Sequence, residues 1–167
     1  MVLIGKQAIA NRIGLPRVAL PHYTHTMDNE RIREICLALP HARETLNWEQ
    51  VLVYWVGDRE IGGKSFAMTN VDNAGDVVLS YRCGPERFHE LLEIDGVCAA
   101  PYSANSNWVA LERWDALKPR EIAEELARAH ALIYEKLPKR VKAVLALPEK
   151  ERAKLIRERK KQLAAGK

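Results

Sequence analysis

The sequence predicts an α+β domain with a mainly antiparallel sheet and flanking helices. Three observations carry this: an amphipathic helical pattern that opens at residue 26, three segments rich in β-branched and aromatic residues between 51 and 82, and a long apolar-periodic helix ending at Pro138. Helices at both ends of a run of strands joined by short turns are the pattern of α+β architecture.

The first element is TMDNERIREICLALP. It offers an N-cap at Thr26 or Asp28, acids Asp28 and Glu30 in the first turn, and Ile32, Ile35, Cys36 and Leu39 on one stripe; Pro40 ends it. VLVYWV (51–56), KSFAMTN (64–70) and DVVLSYR (76–82) then read as three antiparallel strands. Their connectors, GDREIGG and DNAG, are dense in residues that accept turn geometry. Gly84-Pro85-Glu86 opens a short helix with Phe88, Leu91 and Leu92 inward, which ends at Asp95-Gly96. NWVALERW (107–114) alternates as a strand and returns to the same sheet. The closing helix has Pro119 near its start and Ile122, Leu126, Ala129, Ile133 and Leu137 at helical spacing.

Three divisions follow: a leader or extended arm at 1–26, the α+β domain at 27–137, and a basic helical tail at 138–167, interrupted at Pro148. The net charge of +4 divides unevenly among them. The leader carries three Lys/Arg and no acid, the domain 12 Lys/Arg against 19 Asp/Glu, or −7, and the tail 11 against three, or +8. A polyanion is attracted to the ends and, on average, repelled by the domain. No stretch approaches the roughly 20 apolar residues of a membrane helix. Cys36, Cys83 and Cys98 are odd in number and far apart, which suits small buried hydrophobes in a reducing, cytoplasmic setting better than a disulfide framework or zinc site.

Catalytic patterns are absent. Nothing resembles G-x-S-x-G or a cysteine-nucleophile signature, so no enzyme is expected. His22-x-x-His25 lies in the leader, and His41, His89 and His130 fall on separate elements, so no metal or other cofactor is expected. Gly62-Gly63-Lys64-Ser65 resembles the end of a phosphate loop, but it lacks the upstream glycine and leads into a strand. It reads as a hairpin tip.

Two binding chemistries remain. Arg59 and Lys64 in the first hairpin, Arg82, Arg87 and Arg113 near strand ends, and Lys139, Arg140 and Lys142 at the start of the tail supply phosphate contacts if they share a face. The alternative is that these charges solvate the surface, while Trp48, Trp55, Tyr102 and Trp108 line a cleft for a small molecule or a protein partner.

The order of motifs resembles a known family. CLALPHARET, VLVYWVGDR, GKSFAM, VVLSYRCGPERFHELLE, APYSANSNWVALE and ALIYEKLPKR, over about residues 27–140, are similar to the MmcQ/YjbR family of small α+β proteins. Asn107 stands where many relatives have glycine or histidine. The resemblance implies DNA as partner, bound through a double-wing arrangement of hairpins. It gives the wing role to Arg59 and Lys64, with Arg82, Arg87 or Arg113 nearby as further candidates.

Overall fold

The computed structural model describes residues 26–48, 50–71, 75–101, 103 and 106–166. The leader up to residue 25, Asp72 to Ala74 of the second connector, Tyr102, and Ala104 and Asn105 of the following loop lie outside the described residues.

Asp28, the second of the two candidate caps, starts α1 (Asn29–Leu37): its carboxylate accepts the Arg31 N–H at 2.8 Å. Ile32 and Cys36 are fully buried on its inner stripe. The strands are β1 (Ala42–Asn47), β2 (Val51–Val56), β3 (Lys64–Asn70), β4 (Leu79–Arg82), β5 (Val97–Ala99) and β6 (Trp108–Leu111). They form one sheet in the order β1-β2-β3-β4-β6-β5, every pair antiparallel. The helices that follow the sheet's first strands are α2 (Pro85–Leu92), α3 (Pro119–Lys136), α4 (Lys139–Leu145) and α5 (Glu149–Ala165).

Two strands were not expected from sequence. β1, ARETLN, is an edge strand whose Arg43 and Glu44 break the apolar alternation that marks a strand. β5 is three residues long, below the length at which periodicity is readable. β4 begins at Leu79 rather than Asp76, because residues 75–78 are spent on the turn into it.

The sheet's two faces differ. Tyr54, Phe66, Leu79, Tyr81, Val109 and Leu111 face the helices and form the main core with Ile32, Cys36, Leu126 and Ile133. The opposite face carries a smaller cluster, Ala100, Trp108 and Ala110, flanked by Met68, Val77 and Cys98. The register slips between Tyr54 and Trp55, which pair with Ala67 and Ser65, so Phe66 is one extra residue in β3. That bulge turns both Phe66 and Ala67 toward the helices, where both are fully buried.

Burial does not stop at Leu137. Val141 and Leu145 of α4 belong to the main core, and Ile156 is the buried residue of α5. The seat for α4 is the β2–β3 loop, where Gly57 and Gly62 have positive φ (76° and 97°). A Cβ on Gly57 would lie 3.3 Å from Leu145 Cδ2, and one on Gly62 3.2 Å from Val141 Cγ2. Gly63 is tighter still: a Cβ there would lie 2.2 Å from the Gly57 carbonyl oxygen. Gly63→Ala is therefore expected to cost about 2–4 kcal/mol, since backbone rather than a flexible side chain must give way; urea unfolding checks this.

His130 is buried, with Nε2–H donating to the Pro40 carbonyl at 2.8 Å and the ring edge-on to Phe66 at 5.4 Å. Its Nδ1 is buried without a hydrogen-bond partner. Desolvation holds the His130 pKa below the ordinary histidine value, the Pro40 contact opposing and His41 reinforcing the shift. His41 is lowered too, first by burial and then by Arg152 and Arg43. With both folded pKa values below the unfolded one, the unfolded chain takes up protons first as pH falls. Stability is thus complete above about pH 6.5 and declines as pH drops from there toward the folded values. Urea midpoints should fall between about pH 7.5 and about pH 5.5, and His130→Gln should reduce that fall.

Candidate nucleic-acid interface

The β2–β3 connection is a hairpin, and a 3-10 turn, Arg59–Ile61, forms its tip. Asp58 accepts the Ile61 and Gly63 N–H groups at 3.3 and 2.9 Å through its carbonyl, which closes the loop. The Arg59 guanidinium lies over the Trp55 ring, 5.2 Å from its centroid. Trp55 is itself fixed, its indole N–H donating to Thr45 Oγ1 at 2.9 Å. Lys64 is exposed at the start of β3. Among the described residues neither Arg59 nor Lys64 makes an ion pair, so both charges face solvent.

The C-terminal helices meet this hairpin. α5 packs against the 3-10 turn, and Lys160 Nζ lies 3.7 Å from Glu60 there. The turn between α4 and α5 is tied by Arg152, which donates to the Leu145 carbonyl at 3.0 Å. Lys139 and Arg140 are exposed on α4. Lys142 is held differently, donating to the Glu135 carbonyl at 2.8 Å and lying 5.4 Å from the centre of the Tyr134 ring. Six further cations of α5, Lys150, Lys154, Arg157, Arg159, Lys160 and Lys161, are exposed. The last helix thus brings Lys160 to the hairpin tip, where it meets Glu60; the hairpin itself holds two cations, Arg59 and Lys64, and two acids, Asp58 and Glu60.

The other three arginines lie elsewhere and are mostly engaged. Arg113 joins Asp95 at 2.7 Å and Asp115 at 3.0 Å, all three side chains exposed. Arg87, on α2, donates through Nε and Nη2 to one oxygen of Glu125, at 2.9 and 2.7 Å, and through Nη1 to Glu90 at 2.8 Å. Arg128 donates to the same Glu125 oxygen at 2.7 Å. Glu125 is almost fully buried, so one carboxylate ties α2 to α3. Arg82, at the end of β4, has a buried Nε without a partner.

Sequence reasoning passed over Glu125 and Arg128. The signal was present: Glu125 falls three residues after Ile122, beside Leu126 and Ala129, and so puts a carboxylate on the apolar stripe of α3. Among the described residues, Trp48, Trp55 and Trp108 of the proposed cleft lie apart. Trp48 is exposed at the β1–β2 turn with φ 51°, Trp108 is buried, and β3 and β4 stand between Trp55 on β2 and Trp108 on β6; Tyr102 lies outside the described residues. Asn107 has φ 55°, the left-handed conformation that glycine takes most easily and that asparagine tolerates better than most residues. The Cys83 thiol donates to its carbonyl at 3.3 Å and is pushed up to about 11, first by burial and then by Glu125. Among the described residues no three His, Cys, Asp or Glu side chains gather as a metal site, and no helix is long and apolar enough to cross a membrane.

These roles separate by mutation. Glu125→Ala strands two arginines and is expected to destabilise by about 2–3 kcal/mol, the partial exposure of Arg87 keeping the cost below that of a fully buried pair. Arg113→Ala removes only solvent-exposed pairs and should leave the melting temperature unchanged.

Comparison with known proteins agrees with this architecture. No curated protein matches the chain. The crystal structure of Deinococcus radiodurans protein DR2400, with domain DUF419, is similar in fold: its TM-score is 0.63 at 24% identity, over 74% of this chain and 91% of that one. A sequence model of the YjbR family matches residues 37–132, which takes in the sheet and most of α3. The chain belongs to the YjbR family.

Proposed function

We propose that this YjbR-family protein binds duplex DNA without sequence preference, through the surface made by the β2–β3 hairpin and helices α4 and α5. The observation that carries the reading is the docking of α5 on the hairpin's 3-10 turn, which brings the basic helix and its Lys160 to the loop that holds Arg59 and leads into Lys64. Phosphate attraction scales with the number of cations that reach the backbone together, so a joined surface binds far better than two separated patches. The rest of the domain, at −7 with most of its arginines paired to acids, orients the duplex by repelling it from the other faces. Exposed lysine and arginine side chains without a rigid base-reading element give positioning rather than specificity.

The test is fluorescence anisotropy of a labelled duplex with the full chain over a salt series. Affinity should fall steeply with salt, and Arg59→Glu with Lys64→Glu should weaken binding roughly tenfold while reducing the salt dependence by about one phosphate contact per charge removed. Lys154→Glu with Lys161→Glu should act in the same direction. An unchanged affinity in the hairpin variant removes the wing role, and no binding of the full chain at low salt removes DNA as the partner.

A further inference from the structure

A second basic site lies away from the hairpin. A cavity of about 170 Å³ opens between the end of β4, the start of α2 and the middle of α3, lined by Arg82, Cys83, Gly84, Arg87, Glu125 and Arg128, with Leu132 at its edge. A water needs about 10–15 Å³ of such space, so the cavity has room for several. Drug-sized ligands occupy about 300–1,000 Å³, so the space suits a small ion or the head of a small molecule.

Its walls are rich in donors. Three guanidiniums line it with one buried carboxylate, Glu125, which takes Arg87 and Arg128; Arg87 also meets Glu90 outside the lining. Arg87 is committed to both acids. Arg82 is not: its Nε is buried and has no partner, which a native structure avoids unless something else satisfies it. Arg128 is largely exposed and held by Glu125 alone, so its remaining N–H groups are open to a ligand.

Two further features point the same way. Gly84 caps α2 without a side-chain hydrogen bond, and nothing lies within 4 Å of where its Cβ would be, so the helix start opens onto free space. Tyr81 is fully buried with an unpartnered hydroxyl, and its strongest electrostatic neighbours are Glu125, Cys83, Arg87 and Arg128. The Tyr81 hydroxyl, like Arg82 Nε, is a buried donor without an acceptor.

We propose that this cavity is a binding site for a phosphate group, with Arg82 and Arg128 as its principal ligands and Arg87 held in place by Glu125. Planar guanidinium forks match the oxygen pairs of a tetrahedral phosphate, and the α2 start adds a favourable dipole. Glu125 orients Arg87 and Arg128 through one shared oxygen and limits the site's net positive charge. The site reassigns Arg82 and Arg87 from duplex backbone contacts to a separate ligand, and it stands whether or not the hairpin surface binds DNA.

Isothermal titration calorimetry on the full chain tests it, with inorganic phosphate and methyl phosphate as probes and acetate at matched ionic strength as the carboxylate control. Saturable binding of either phosphate probe is expected, the tighter of the two distinguishing the free ion from a phosphomonoester. Arg82→Gln and Arg128→Gln should each weaken it roughly tenfold or more, the loss of a charge-assisted hydrogen bond. Lys154→Glu with Lys161→Glu should leave it unchanged. Thermal melting checks that each variant folds, and either arginine variant alone decides the question. The proposal fails if neither probe saturates, if acetate binds as tightly, if the folded arginine variants bind as the parent does, or if the tail variant loses binding equally.

Discussion

A side chain at position 63 would collide with the carbonyl oxygen of Gly57, and the β2–β3 loop closes because none is there. The close approach of these two backbone segments shapes the surface on which Val141 and Leu145 rest. Those contacts anchor α4, the turn at Pro148 aims α5, and α5 returns to lie against the 3-10 turn of the same loop. The placement of the described helices beyond Pro138, and of the cations they carry, begins at glycine geometry some 80 residues earlier in the chain. A segment with the composition of a solvated tail thus becomes an extension of the domain.

The same partition of charge appears inside the domain at smaller scale. Arg33 pairs with Glu44, Arg87 with Glu125 and Arg113 with Asp95, so acids in excess hold most of the domain's arginines against its own surface. Arg59 escapes because its neighbour is the face of Trp55 rather than a carboxylate. The exposed Arg113–Asp95 pair adds little to stability, unlike the pairs made by the buried Glu125. All three pairs also act electrostatically: each cancels a positive charge on the domain, whereas the C-terminal segment carries 11 Lys/Arg against three acids.

Much of the fold was legible in the residues. The Asp28 cap, the strands at 51–56 and 64–70, the Pro85 and Pro119 helix starts and the hairpin reading of Gly62-Gly63 all rest on local chemistry, and local chemistry survives folding. What was not legible depends on partners distant in sequence. β1 and β5 are strands because β2 and β6 offer them open edges, not because ARETLN or VCA prefers to be extended. The basic set could be enumerated but not sorted, since only the fold puts Glu125 beside Arg87 and Arg128 and brings Lys160 to Glu60. Val141 and Leu145, four residues apart in KRVKAVL, were a readable sign that the tail has an inner face.

The sheet order leaves β1 and β5 as its margins. At one margin, Arg43 lies 3.5 Å from Asp58 and Glu44 is clamped by Arg33, so charged groups flank the outer backbone of β1. At the other, three residues offer too short a ladder to template a neighbour. Both are recognised guards against strand-to-strand self-association. Such margins matter most at high local concentration, because crowding is the condition under which an open edge seeds aggregates.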